Sequence, residues 1–113
     1  MAITNWEYDK MKINVNTCKV PVVVEFWMPR CSPCVQLSTI LEEVAEKFKN
    51  RAVFGKCRAD EYEGDFPIST VPTTIINING AIFTVLQGLV TEEKLIDELE
   101  QAIEKMDMEN NND

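Results

Sequence analysis

The sequence predicts an α/β fold: a central four-stranded mixed sheet flanked by helices on both faces, with a first strand that is short or missing. Three observations predict it. Val22-Val23-Val24-Glu25-Phe26-Trp27 is β-branched and aromatic on both faces, as in a strand buried inside a mostly parallel sheet. A break at Pro29 and Cys31-Ser32-Pro33-Cys34 leads into a helical repeat and then a second strand-like run, which makes a right-handed βαβ unit. Asn79-Gly80 stands between two further apolar runs and is a strong short-range hairpin signal.

Taken in order, Thr4 and Glu7 have the capping-box spacing, and Trp6, Met11, Ile13 and Val15 lie among charges, so a first helix is expected over residues 5–13. Polar residues at 14–17 end it. After the strand at 22–27, Pro33 sits in the first turn of a second helix. Leu37, Ile40, Leu41, Val44, Ala45 and Phe48 recur at steps of three and four, which carries that helix to about residue 49. Residues 52–57 form the next strand. The acidic segment 60–70, with Gly64 and Pro67, has room for a turn or two of helix at most. Strands over 73–78 and 81–86 enclose the Asn-Gly turn. Thr91 caps a last helix with Glu92 and Glu93 in its first turn, and Leu95, Ile96, Leu99, Ala102, Ile103 and Met106 give it one apolar face. A single domain over 1–106 is expected, followed by a polar, acidic, frayed tail at 107–113.

Composition narrows the chemistry. The 113 residues contain no histidine, which removes Ser/His and Cys/His nucleophile systems and imidazole metal ligands. A net charge of -8 argues against nucleic-acid and anionic-membrane partners. Nearly all of it belongs to residues 92–113, where nine acids face two lysines, the pattern of a solvated helix face. No apolar run approaches the roughly 20 residues of a membrane span, and the N-terminus has neither basic leader nor apolar core. A cytoplasmic location is the expectation, and four cysteines in a chain with an adequate core point to catalysis or metal rather than to stapling.

A Cys-x-x-Cys pair that closes a strand and opens a helix puts Cys31 just outside the helix N-terminus, where free N–H groups and the macrodipole favour a thiolate. Arg30 adds a positive charge beside it. Cys34, already in the helix, points back to the same end and is expected to be the less exposed of the two. The pair can carry two electrons: Cys31 attacks a substrate disulfide, and Cys34 resolves the mixed disulfide. Cys34 must lose a proton to do so, and Glu25, in a run that otherwise reads as core, is the candidate base. The competing reading is a strand-end glutamate that bends out to solvent.

Phe26-Trp27, Cys31-Ser32-Pro33-Cys34, Val71-Pro72-Thr73, Asn79-Gly80 and Gly88, in this order and spanning nearly the whole chain, resemble the thioredoxin family. The resemblance implies a thioredoxin-like fold and a protein disulfide reductase whose redox-active Cys31–Cys34 disulfide is its cofactor, with no metal. Pro72 matches the family's cis-proline, which faces the disulfide and leaves the backbone of the preceding residue, here Val71, to pair with an extended substrate; Gly88 closes the matching set. Glu25 stands where the family has a buried aspartate, Lys56 where it often has a lysine near that acid, and Trp27 where a tryptophan packs beside the disulfide. The implied partners are a thioredoxin reductase-type electron donor and disulfide-containing proteins, and a monomer is expected.

Departures from the family pattern are specific. Ser32 replaces a glycine, Arg30 a tryptophan, and Thr39 a proline that often kinks the active-site helix. Glu25 is one methylene longer than aspartate. The N-terminus allows a first strand of residues 2–4 at most. Cys18 and Cys57 read as buried small hydrophobes. The rival readings are a thioredoxin-fold binding module with little turnover, a glutaredoxin-like exchanger coupled to glutathione, and a four-thiolate metal site, which the lone spacing of Cys18 and Cys57 disfavours.

Overall fold

A computed structural model describes residues 3–64 and 68–111. The chain runs β1 (Ile3–Asn5), α1 (Tyr8–Thr17), β2 (Val22–Trp27), α2 (Ser32–Lys47), β3 (Val53–Arg58), a 3-10 turn (Ala59–Glu61), β4 (Thr73–Ile78), β5 (Ala81–Gln87) and α3 (Glu92–Asn110). The sheet has five strands in the order β1-β3-β2-β4-β5. β1, β3 and β2 are parallel, while β4 runs antiparallel to β2 and to β5.

The short first strand that the sequence allowed is present as β1 and makes the sheet five-stranded, while the same region corrects the first helix. Ile3, Thr4 and Asn5 pair with Phe54, Gly55 and Lys56 of β3, and the Trp6 N–H donates to the Lys56 carbonyl at 2.8 Å. Pairing with a distant strand therefore wins over the local capping box, and α1 starts at Tyr8 with Glu7 as an N-cap that makes no side-chain hydrogen bond. The buried Trp6 indole lies over Gly55, where any Cβ would run into the ring. The far end of α1 also extends past residue 13: Asn14 Nδ2 donates to the Lys10 carbonyl and Thr17 Oγ1 to the Ile13 carbonyl, so the polar residues stay within the helix. Residue 2, and residues 65–67 of the acidic segment, lie outside the described residues.

β2 is central, and its side chains alternate between two cores. Val22, Val24 and Phe26 pack with Trp6, Met11, Cys57 and Ile75 beneath α1. Val23 packs on the other face with Phe54, Ile76, Leu37, Leu41, Val44, Leu95, Leu99 and Met106, beneath α2 and α3. Helices thus cover both faces, as the alternation in β3 and the apolar stripes of α2 and α3 require. α2 continues unbroken through Thr39, whose Oγ1 donates to the Val35 carbonyl. Thr91 caps α3, accepting the Lys94 N–H at 3.1 Å. That helix runs on through Asn110, four residues beyond Met106, and residues 112–113 of the expected tail are outside the described set. Asn79 Nδ2 donates to Glu109 at 2.9 Å, which ties this last turn to the hairpin.

Candidate active site

Between β2 and α2 the chain must reverse within four residues. Pro29 ends the strand, and Arg30 takes a left-handed backbone conformation with φ of 64°, available to few non-glycine residues. Cys31 then becomes the N-cap of α2, with Pro33 in the first turn. Its Sγ accepts the Cys34 N–H at 3.2 Å, and its carbonyl accepts the N–H groups of Cys34 and Val35. The sulfur thus takes the place of a capping oxygen, at the positive end of a 16-residue helix. Cys31 and Cys34 are joined as a disulfide, with Cα atoms 5.2 Å apart. Cys31 is part-exposed, whereas Cys34 is 3% exposed.

A cavity of about 210 Å³ opens beside the disulfide, lined by Trp27, Met28, Arg30, Cys31, Cys34, Ser38 and Lys56 among others. Lys56 Nζ stands 5.3 Å from the centre of the Trp27 ring, and the Arg58 guanidinium carbon 5.9 Å. Arg58 is itself held by both carboxylate oxygens of Asp60, at 3.1 and 2.9 Å. Trp27 therefore sits under two cations while its Nε1 is buried with no partner among the described residues.

Behind this cavity lies Glu25, fully buried in β2. The strand periodicity turns it onto the same face as Val23, toward α2. It does not bend out to solvent. Oε1 accepts a 2.7 Å hydrogen bond from Ser38 Oγ, and Lys56 Nζ donates to that hydroxyl at 3.3 Å. Oε2 is buried without a hydrogen-bond partner among the described residues, as is Oγ1 of Thr74, the residue opposite Glu25 on β4. Burial pushes the carboxyl above the usual glutamate range, and the Ser38 hydrogen bond and the Lys56 charge work against that rise.

The Val71–Pro72 peptide is cis. Thr73 pairs with both Phe26 and Gln87, so Pro72 and Gly88 flank the sheet end from which the Cys31 turn departs. The Gly88 N–H donates to the Pro72 carbonyl at 2.7 Å, with Gly88 at φ 79°. The structure thus gathers Cys31, Cys34, Trp27, Arg30 and Lys56 round one cavity and sets Val71, Pro72 and Gly88 beside them at the same sheet end. Ser32 and Pro33 lie exposed on the first turn of α2.

Cys18 and Cys57 are free thiols. Cys18 is part-exposed and not the buried small hydrophobe expected, because it caps the C-terminus of α1, where it donates weakly to Asn14 Oδ1 at 3.9 Å. Cys57 is buried under α1, and burial together with Glu61 and Asp60 pushes its thiol up to about 11. Among the described residues no group of three or more Cys, Asp or Glu is placed to hold a metal ion, so the four thiols do not converge. Ser38 is the residue that sequence reasoning missed. Its position one helical turn after Cys34, on the same helix face, is the one hint of it in the sequence.

Comparison with known proteins agrees with this geometry. The family profile described as Thioredoxin matches residues 2–101. The chain is 23% identical over 106 residues to a thioredoxin of Haemophilus influenzae, covering 91% of this chain and 96% of that one. It is 30% identical over 88 residues to the chloroplastic M-type thioredoxin of Spinacia oleracea, covering 75% of this chain and 49% of the other. It is 32% identical over 108 residues to the chloroplastic thioredoxin M4 of Arabidopsis thaliana, covering 93% of this chain and 54% of that one. The chain thus spans about half the length of these two plant relatives.

Proposed function

The chain belongs to the thioredoxin family and is a dithiol–disulfide oxidoreductase, and we propose that it works as a reductant of protein disulfides, with Cys31 as attacking thiol and Cys34 as resolving thiol. The observation that carries this assignment of roles is the asymmetry of the pair: Cys31 is part-exposed at the cap of α2, and Cys34 is buried one step inside it. A reduced Cys31 at that cap is favoured as thiolate by the helix N-terminus. It attacks one sulfur of a substrate disulfide, forming a mixed disulfide and releasing a thiolate. Cys34 then gives up its proton and attacks Cys31 Sγ. The bond from Cys31 to the substrate breaks, its electron pair leaves with the substrate sulfur, and two electrons have passed to the substrate.

Glu25 takes the Cys34 proton in this scheme. Its buried carboxyl holds a proton more readily than a solvated one, which suits a base that must return the proton when the cycle runs back. Trp27, Arg30 and Lys56 shape the cavity, with Ser32 and Pro33 on its helix rim. The Val71 backbone, beside Pro72 and Gly88, offers an edge for an extended substrate. The reading includes a monomer in a reducing, cytoplasmic setting, re-reduced by a thioredoxin reductase-type donor.

The test of direction is the Cys31/Cys34 reduction potential, obtained by equilibration with glutathione buffers and read by tryptophan fluorescence. A value well below the cytosolic glutathione poise is expected. One above it would make the protein an oxidant or a glutathione-coupled exchanger. The test of roles is a pair of variants: Cys31→Ser abolishes exchange, and Cys34→Ser accumulates a mixed disulfide with the substrate. Turnover by Cys31→Ser would sink the assignment.

A further inference from the structure

We propose that Ser38 is a positioning residue of the resolving step, its hydroxyl carrying the proton between the cavity that holds Cys34 and the carboxylate of Glu25. This rests on the reading of Glu25 as the base. Glu25 is fully buried and is not among the cavity's lining residues, whereas Cys34, Ser38 and Lys56 are. A route from the thiol to the carboxylate by way of the cavity therefore passes Ser38 and Lys56.

Donor and acceptor rules fix the order of that layer. An ammonium group has donors and no acceptor, so in the Lys56–Ser38 contact the serine oxygen accepts. The single Ser38 O–H is then left to donate, and it does so to Glu25 Oε1 at 2.7 Å. A hydroxyl oxygen has a second lone pair, and Ser38, one turn after Cys34 in α2, faces the same cavity. Lys56 thus orients the hydroxyl for proton passage.

The Cys34 S–H proton passes to Ser38 Oγ, directly or over a solvent molecule in the cavity, while the Ser38 hydroxyl proton moves to Glu25 Oε1. The freed sulfur electron pair forms the bond to Cys31 Sγ, and the Cys31–substrate bond breaks with its pair on the substrate sulfur. Glu25 is left protonated and Ser38 unchanged. When the Cys31–Cys34 disulfide is next reduced and Cys34 leaves as thiolate, the same shift run backwards gives it the proton and restores Glu25 to the carboxylate.

The test uses the reduced full chain in a Cys18→Ser background with glutathione disulfide as probe. Formation and decay of the Cys31–glutathione adduct are followed by acid quench and mass spectrometry between pH 5 and about 9, from just above the ordinary glutamate value to just above the ordinary thiol value. The groups around Glu25 are Ser38 from α2, Lys56 from β3 on the Ser38 hydroxyl, and Thr74 opposite it on β4, while Cys34 lines the cavity with Ser38 and Lys56. Ser38→Ala is expected to slow adduct decay about tenfold near neutral pH, a fraction of the usual acid–base contribution, and to flatten its pH profile. Adduct formation stays unchanged, and Ser38→Thr restores decay. If Ser38→Ala decays like the parent while Glu25→Gln is slow, the relay is overturned and the role of Glu25 stands. If neither variant slows decay, the role of Glu25 falls and the relay with it. Equal slowing of both phases, or no rescue by Ser38→Thr, would leave the hydroxyl a packing contact and overturn the proposal.

Discussion

Two buried acids on neighbouring strands face opposite ways. Glu25 of β2 points toward α2, and Cys57 of β3 lies with Phe26, Trp6 and Met11 under α1. Burial raises both. Glu25 has a hydroxyl and an ammonium leading from its carboxylate to the disulfide cavity, whereas the Cys57 thiol has, among the described residues, only a weak 3.7 Å contact to the Arg58 carbonyl. A perturbed group becomes useful through connection to a reacting atom, and desolvation alone gives an inert thiol.

The comparison breaks most visibly on the Glu25 side. Glu25→Gln should slow resolution of a Cys31 mixed disulfide by on the order of 10²-fold near neutral pH, measured by single-turnover quench. Retention of the parent rate would place Glu25 with Cys57 as a buried bystander. On the α1 side the prediction reverses, with stability lost and exchange kept. Gly55→Ala drives a Cβ into the Trp6 ring and should destabilise by about 1–3 kcal/mol in urea melts, with the per-molecule exchange rate unchanged.

Stability against pH sharpens the contrast further. A raised Glu25 means that the folded chain still holds a proton after the unfolded chain has released it, so this contribution is complete below the ordinary glutamate value and is lost as pH rises through the raised one. Denaturation series should show a slope of at most about 1.4 kcal/mol per pH unit in that window, absent in Glu25→Gln. Cys57 keeps its proton throughout this range. Cys57→Ala should therefore cost only about 1 kcal/mol, as one buried sulfur is removed, and leave both the slope and the reduction potential where they were. A shifted potential would connect Cys57 to the redox pair.

Local signals were enough for most of the architecture. The apolar β2 run, the proline-bounded turn, the Asn-Gly hairpin and the Thr91 cap each depend on neighbours in sequence, and each is found where it was read. The short first strand was allowed for, but the first helix was placed three residues early, because β1 reaches Asn5 only through pairing with β3, about fifty residues away, and a capping box holds no record of such a partner. Cys31, Cys34 and Glu25 stood out by residue type against their surroundings. Ser38 did not, since a serine between apolar helix positions reads as a solvated face until the strand carrying Glu25 is laid against it.

The place of β2 in the sheet has one more consequence. It is hydrogen-bonded on both sides, to β3 and to β4, whereas β1 and β5 are the edges. Backbone amides of Val23 to Phe26 should therefore exchange with deuterium only through opening of the whole domain, long after those of β1. The reactive turn is moored to the slowest-breathing strand, so a thiol that meets partner after partner does so on a footing that local fluctuation does not disturb.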